Sequence, residues 1–137
     1  MSDATDSLLA DILAFIDEVN RSDAAAALAR FTDDVCIVED LAPYRMSGPG
    51  AGQKWLSAMG ANAQKLGVAA VVLHPGQPRR IEADEATGYC VLPGELTLDG
   101  PNAKLNAAGE LTMAARCENG AWRFCAMTWA GDQPAAR

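Results

Sequence analysis

The sequence predicts a single α+β domain with three N-terminal helices gathered on one face of a mainly antiparallel sheet. Three observations carry this. Apolar residues recur at helical spacing through the first half of the chain. From Val68 onward the pattern changes to four strand-like runs. Near the end, Asn119-Gly120 separates two alternating runs, and a tight type I′ turn needs positive φ at both central residues.

The first helix follows from Leu8, Leu9, Ile12, Leu13, Ile16 and Val19, with Asp6-Ser7 placed to cap its start. Asn20-Arg21-Ser22 breaks it, and Ser22 is placed to cap a second, alanine-rich helix over Asp23 to Arg30. So short a connection predicts an antiparallel helix hairpin. Asp33-Asp34 reads as a turn before the strand Val35 to Val38, and Tyr44-Arg45-Met46 as a second short strand. Gly48 to Gly52 leads into a third helix with Trp55, Leu56, Met59, Ala63 and Leu66 on one side, stopped by Gly67. Gly60 weakens that helix by about 1 kcal/mol relative to alanine, which suggests a close-packing role. The strand-like runs are Val68–His74 (continuing toward Ile81), Ala86–Leu98, Leu105–Cys117 and Trp122–Ala130. Pro93-Gly94 predicts a bulge or bend within the second of them. Residues 1–6 and 132–137 are expected to be loose tails.

With the Asn-Gly turn, Cys117 pairs with Trp122, Ala115 with Phe124, Met113 with Ala126 and Leu111 with Thr128, giving one apolar face. The opposite face carries Arg116 against Arg123, Ala114/Cys125, Thr112/Met127 and Glu110/Trp129. Three helices cover the first face only. A second copy of the chain is the economical cover for Met127 and Trp129, so a homodimer through the outer sheet face is expected.

The totals narrow the function. At 137 residues one core is available, and half the residues are hydrophobic. A net charge of −7 disfavours nucleic acid and anionic membrane surfaces, which reward basic patches. No stretch approaches the roughly 20 apolar residues of a membrane span, and the acidic start Met-Ser-Asp-Ala-Thr-Asp is unlike a signal peptide, so a cytoplasmic location is expected. Cys36, Cys90, Cys117 and Cys125 are isolated and read as reduced thiols in strands. With a single histidine and no Cys-x-x-Cys, no metal site is expected. Gly48-Pro-Gly-Ala-Gly-Gln-Lys lacks the Lys-Ser/Thr pair and βαβ setting of a phosphate loop.

The order of elements, with Phe31-Thr-Asp-Asp-Val-Cys-Ile-Val-Glu-Asp40 and the stretch Gly109 to Phe124, resembles the nuclear transport factor 2-like superfamily. Within it the chain is similar to the SnoaL-like and ketosteroid-isomerase-like branch, over residues 7 to 131. The resemblance implies a cone-shaped α+β barrel around an apolar pocket, spanning the chain as one domain, commonly paired as a dimer. It places Asp40 at the position of a general base. The branch's oxyanion donors fall at Phe15 and near Met113 or Ala114, none of which can donate, so classical steroid isomerisation is not expected. Fold-mates that dehydrate their substrates use two histidines, whereas this chain has only His74.

Asp40 is therefore the catalytic candidate, since burial at an apolar pocket suits a carboxylate to proton abstraction. Glu39 points to the opposite face if the strand persists, making the two alternatives. Tyr44 and Arg45 are candidates to fix the polar end of a ligand, and Phe15, Trp55, Met59, Tyr89, Met113 and Trp122 to line the pocket. Two function classes follow, the first acting on a small hydrophobic molecule and the second binding such a molecule or a partner. One is a cofactor-independent isomerase, cyclase or lyase. The other is a non-catalytic ligand-binding or dimerisation module.

Overall fold

The computed structural model describes residues 2–137. Helix α1 (Asp3–Asn20) starts earlier than expected, because Ser2 accepts from the Thr5 N–H and caps it. Its Leu8, Ile12, Phe15 and Ile16 form the buried stripe. Helix α2 (Ala24–Leu28) is shorter than expected and is capped by Asp23, not Ser22, which adopts φ 61° in the turn. Strand β1 (Phe31–Val38) begins four residues before the expected start, absorbing the Asp33-Asp34 pair that resembled a turn. β2 (Arg45–Ser47) folds back on β1 antiparallel, and α3 (Ala51–Leu66) stops at Gly67 in the left-handed conformation.

The rest is sheet: β3 (Ala70–Pro75), β4 (Arg80–Ala83), β5 (Thr87–Asp99), β6 (Lys104–Glu118), β7 (Ala121–Gly131) and the short β8 (Ala135–Ala136). The order is β2-β1-β7-β6-β5-β3, mostly antiparallel with β1 and β7 parallel, and the sheet is curved and not closed. β4 pairs with the first half of β5 and β3 with the second, so the edge partner changes at Pro93. The expected bulge at Pro93-Gly94 is absent, and both residues stay in register with Glu110 and Gly109. The C-terminal tail is tied down in part, since β8 pairs with Leu105 and Asn106.

The bulge lies in β7 instead. Trp122 and Phe124 pair with Cys117 and Ala115 as expected, but the next pairs are Ala126–Ala114, Met127–Met113 and Trp129–Leu111. Cys125 is the extra residue, and it moves every later side chain of β7 to the other face. Met127 and Trp129 thereby join Met113 and Leu111 on the inner face, and Met127 is 3 % exposed. The outer-face patch that motivated a second copy of the chain is therefore corrected: both residues face inward, Met127 buried and Trp129 half-buried. Burying a side chain of this size stabilises by roughly 1.5–3 kcal/mol, against about 1 kcal/mol for a ladder hydrogen bond lost at a bulge.

The inner rows then read Ile37–Met127–Met113–Cys90 and, two pairs further along, Trp129–Leu111–Leu92. Phe15 of α1 contacts Phe31, Phe124 and Trp55 with ring centroids 5.3–6.0 Å apart, closing the core between helices and sheet. At the Asn-Gly end, Arg116 and Arg123 are directly opposed, as expected. Their repulsion is offset locally: Arg116 forks onto Asp34 at 2.6 and 3.2 Å, and Arg123 donates to the Ala29 carbonyl.

Candidate functional site

A cavity of about 380 Å³ lies between α1, α3 and the inner sheet face, within the range that holds small organic ligands. Leu96, Leu111, Met127 and Trp129 form its floor, and Phe15 and Trp55 its inner end. Its mouth lies where the exposed Ser22, Ala24 and Gly60 meet Ala63 and Leu73. The α1 end of this mouth is pinned by Asn20, whose side-chain amide both donates to the Leu73 carbonyl and accepts from the Leu73 N–H, each at 2.9 Å. Gly109 and Gly131 leave room for the Trp129 indole, since a Cβ on either would come within 2.4–2.6 Å of it.

Two carboxyls line this space, with opposite fates. Glu18 is held by Arg30 through two hydrogen bonds of 2.6 and 3.0 Å, with Asp11 at 3.8 Å from the same guanidinium. That pair ties α1 to the residue preceding β1 and leaves neither charge free for a ligand. Glu39 has no such cation among the described residues. It lies one position beyond the Val38–Thr128 pair, on the same strand face as Val35 and Ile37, so alternation carries it into the cavity. Burial pushes its carboxyl up to about 8, and the charge of Asp40 adds to the rise. The Trp55 indole N–H beside it acts in the opposite direction, favouring the ionised form.

The structure separates the expected site residues into two groups. Phe15, Trp55 and Met59 line the cavity. Asp40 is exposed and lies outside the lining, because the alternation that brings Glu39 inward turns Asp40 to solvent. Tyr44 is 62 % exposed with φ 71°, and Arg45 is exposed on β2, so neither reaches a ligand in the cavity. Tyr89 sits on the outer face under the Arg80 guanidinium, 5.4 Å from the ring centroid. Met113 and Trp122 are buried core residues outside the lining. His74 is exposed and hydrogen-bonded to Thr97. All four cysteines are free thiols, with Cys90 buried and Cys117 exposed.

Sequence reasoning thus weighed Glu39 only as the alternative to Asp40, and placed Met127 and Trp129 on the wrong face. The signal for Glu39 was present: Val35 and Ile37 must face the core, and Glu39 shares their parity. The signal for the other two was a change of parity in β7, from Trp122 and Phe124 at even positions to Met127 and Trp129 at odd ones. Among the described residues no group of three or more His, Cys, Asp or Glu is placed to hold a metal ion. No helix among them is long and apolar enough to cross a membrane.

No protein-family model matches the sequence, and no curated protein matches it. The fold, in contrast, has many counterparts among solved structures. A scytalone dehydratase-like protein from Novosphingobium aromaticivorans superposes with a TM-score of 0.79 at 11% identity, over 96% of this chain and 85% of its own. A hexachlorocyclohexane dehydrochlorinase from Novosphingobium barchaimii gives 0.75 at 12% identity, over 98% and 88%. A ketosteroid isomerase-like protein from Erwinia carotovora gives 0.75 at 15% identity, over 98% and 100%. The chain therefore has the nuclear transport factor 2-like cone fold, as its order of elements suggested.

Proposed function

We propose that this protein binds an uncharged, largely apolar small molecule in the cone and moves a proton on it, with the Glu39 carboxylate as the base. The observation that carries the reading is one carboxyl, without a cationic partner among the described residues, in the wall of a mostly apolar cavity. No Lys, Arg or His lines that cavity among the described residues, which disfavours an anionic ligand. A carboxylate raised to about 8 is a stronger base than a solvated one and still ionises within the physiological range. It takes a proton from carbon next to an electron-withdrawing group. It then returns that proton to another atom in an isomerisation, or keeps it while a leaving group departs in an elimination. The fold-mates named as a dehydratase, a dehydrochlorinase and an isomerase fall in these reaction classes, a supporting analogy of fold.

A generic carbon acid tests this without knowledge of the substrate. 5-Nitrobenzisoxazole is neutral, flat and aromatic, and loss of its C–H proton breaks the N–O bond to give a coloured cyanophenolate. Saturable turnover is expected, with a rate that rises with pH and levels off near the Glu39 value of about 8. Glu39→Gln should lower it by on the order of a hundredfold or more, whereas Asp40→Asn should keep the plateau and shift the profile to lower pH. Equal rates in wild type and Glu39→Gln would remove the base reading. Uptake of the neutral dye N-phenyl-1-naphthylamine without any turnover would leave a binding module.

A further inference from the structure

The cavity wall holds one polar atom that the reading above leaves unused. The Trp55 indole N–H is buried and has no partner within hydrogen-bonding distance, although Trp55 is only 6 % exposed. Buried donors in folded proteins are nearly always paired, so an orphan beside a functional group calls for a physical reason. Two other polar side chains of the cavity lining are committed, Glu18 to Arg30 and Asn20 to the Leu73 backbone. Two rings pack against the indole. Phe15 stacks on it at 6.0 Å with the rings 20° apart, and Phe31 meets it edge-on at 6.0 Å. Trp55 and Glu39 share the wall of this cavity, and Glu39 is the lining carboxyl left without a cation, its ionised form favoured by that N–H.

We propose that Trp55 is the positioning residue of Glu39: its N–H closes on one carboxylate oxygen when the proton leaves and keeps the other oxygen toward the cavity. The protonated carboxyl is a poorer acceptor than the carboxylate, so the contact is expected to tighten as the proton leaves. The arrangement favours the ionised base over the acid without placing a cation in the pocket. A full positive charge there would draw the carboxyl back toward its ordinary range and weaken it as a base. This inference rests on Glu39 being the functional group of the cavity, and it concerns how that group is held.

The other charges around Glu39 do not provide this contact. Next to it in the chain, just past the end of β1, Asp40 opposes ionisation, and on β2 Arg45 is exposed. α1 offers Glu18, already paired with Arg30, and Lys54 of α3 is turned to solvent. From β6 and β7 the cavity receives only Leu111, Met127 and Trp129.

Nuclear magnetic resonance tests the pair directly. The Glu39 carboxyl carbon is titrated with pH while the three indole N–H resonances are followed in ¹⁵N-labelled protein, the Trp55 signal being assigned by its loss in Trp55→Phe. The Trp55 N–H signal is expected to move downfield with the same midpoint as the carboxyl, and to stay still in Glu39→Gln. In Trp55→Phe the Glu39 midpoint should rise by about one unit, and the benzisoxazole profile should move up with it while its plateau falls. A Trp55 resonance that ignores the Glu39 titration overturns the proposal, as does an unchanged midpoint in Trp55→Phe. If Trp55→Phe does not fold, wild type and Glu39→Gln still decide, the signal then being assigned by through-space contacts to Phe15 and Phe31. Coupled titrations without any turnover would sink the base reading alone, whereas turnover with uncoupled titrations would sink this one alone.

Discussion

Glu39→Gln should change how stability depends on pH, and the size of the change follows from where the carboxyl sits. In the unfolded chain Glu39 ionises near 4.5, whereas in the cavity burial and Asp40 hold it to about 8. Below the unfolded value both states keep the proton, so the group adds no pH dependence there. Between the two values the unfolded chain releases a proton that the folded protein retains, so stability falls as pH rises. Each unit corresponds to about 1.4 kcal/mol, so raising the pH from about 5 to about 7 should cost the wild type roughly 2–3 kcal/mol through this group alone. The amide introduced by Glu39→Gln cannot titrate, and any cost of leaving it unpaired is the same at every pH. Urea denaturation of both proteins across this range therefore isolates the slope: Glu39→Gln should gain that 2–3 kcal/mol relative to wild type. Asp34, drawn down to about 2 by Arg116, stabilises above its ordinary value and loses that effect only as pH falls toward 2, outside the window. A difference between the two proteins that stays constant from about pH 5 to about pH 7 would refute the placement of Glu39 in an apolar wall.

Two glycine substitutions test the packing with opposite signs. A Cβ at Gly60 meets nothing within 4 Å, so Gly60→Ala should stabilise by about 1 kcal/mol through helix propensity, read as a higher urea midpoint. Close packing was the expectation for that glycine, and the open space around it removes the reason. Gly109→Ala should instead destabilise by roughly 1–3 kcal/mol. Its Cβ would lie 2.4 Å from the Trp129 indole and 2.7 Å from the Ala130 carbonyl, so the cavity floor must shift. Weaker binding of N-phenyl-1-naphthylamine should accompany the loss, and unchanged binding would show that Trp129 does not shape the cavity.

The parts of this protein legible in the sequence are those set by local chemistry. The apolar period of α1 and α3, the left-handed stop at Gly67 and the Asn-Gly hairpin all appear where expected, because caps, turns and periodicity act within a few residues. The order of elements was enough to recognise the cone fold, and Phe15, Trp55 and Met59 stand in the wall of its cavity. Asp40 was chosen by resemblance of position, while the alternation through Val35 and Ile37 pointed to Glu39. The face of a strand is a stricter constraint than its end, since a one-residue slip exchanges core for solvent.

The second face of the hairpin is what only the tertiary structure decided. Met127 and Trp129 out of phase with Trp122 and Phe124 fit two solutions, a second subunit over the outer face or one extra residue in β7. Local sequence does not choose between them, because Cys125 and Ala126 are small and suit either register. The choice depends on whether the helices leave room under the sheet for two more large side chains. They do, since a cavity of about 380 Å³ lies between α1, α3 and the sheet, and the bulge at Cys125 turns Met127 and Trp129 into its lining. The same residues that suggested an interface between copies form the floor of the cavity into which Glu39 points.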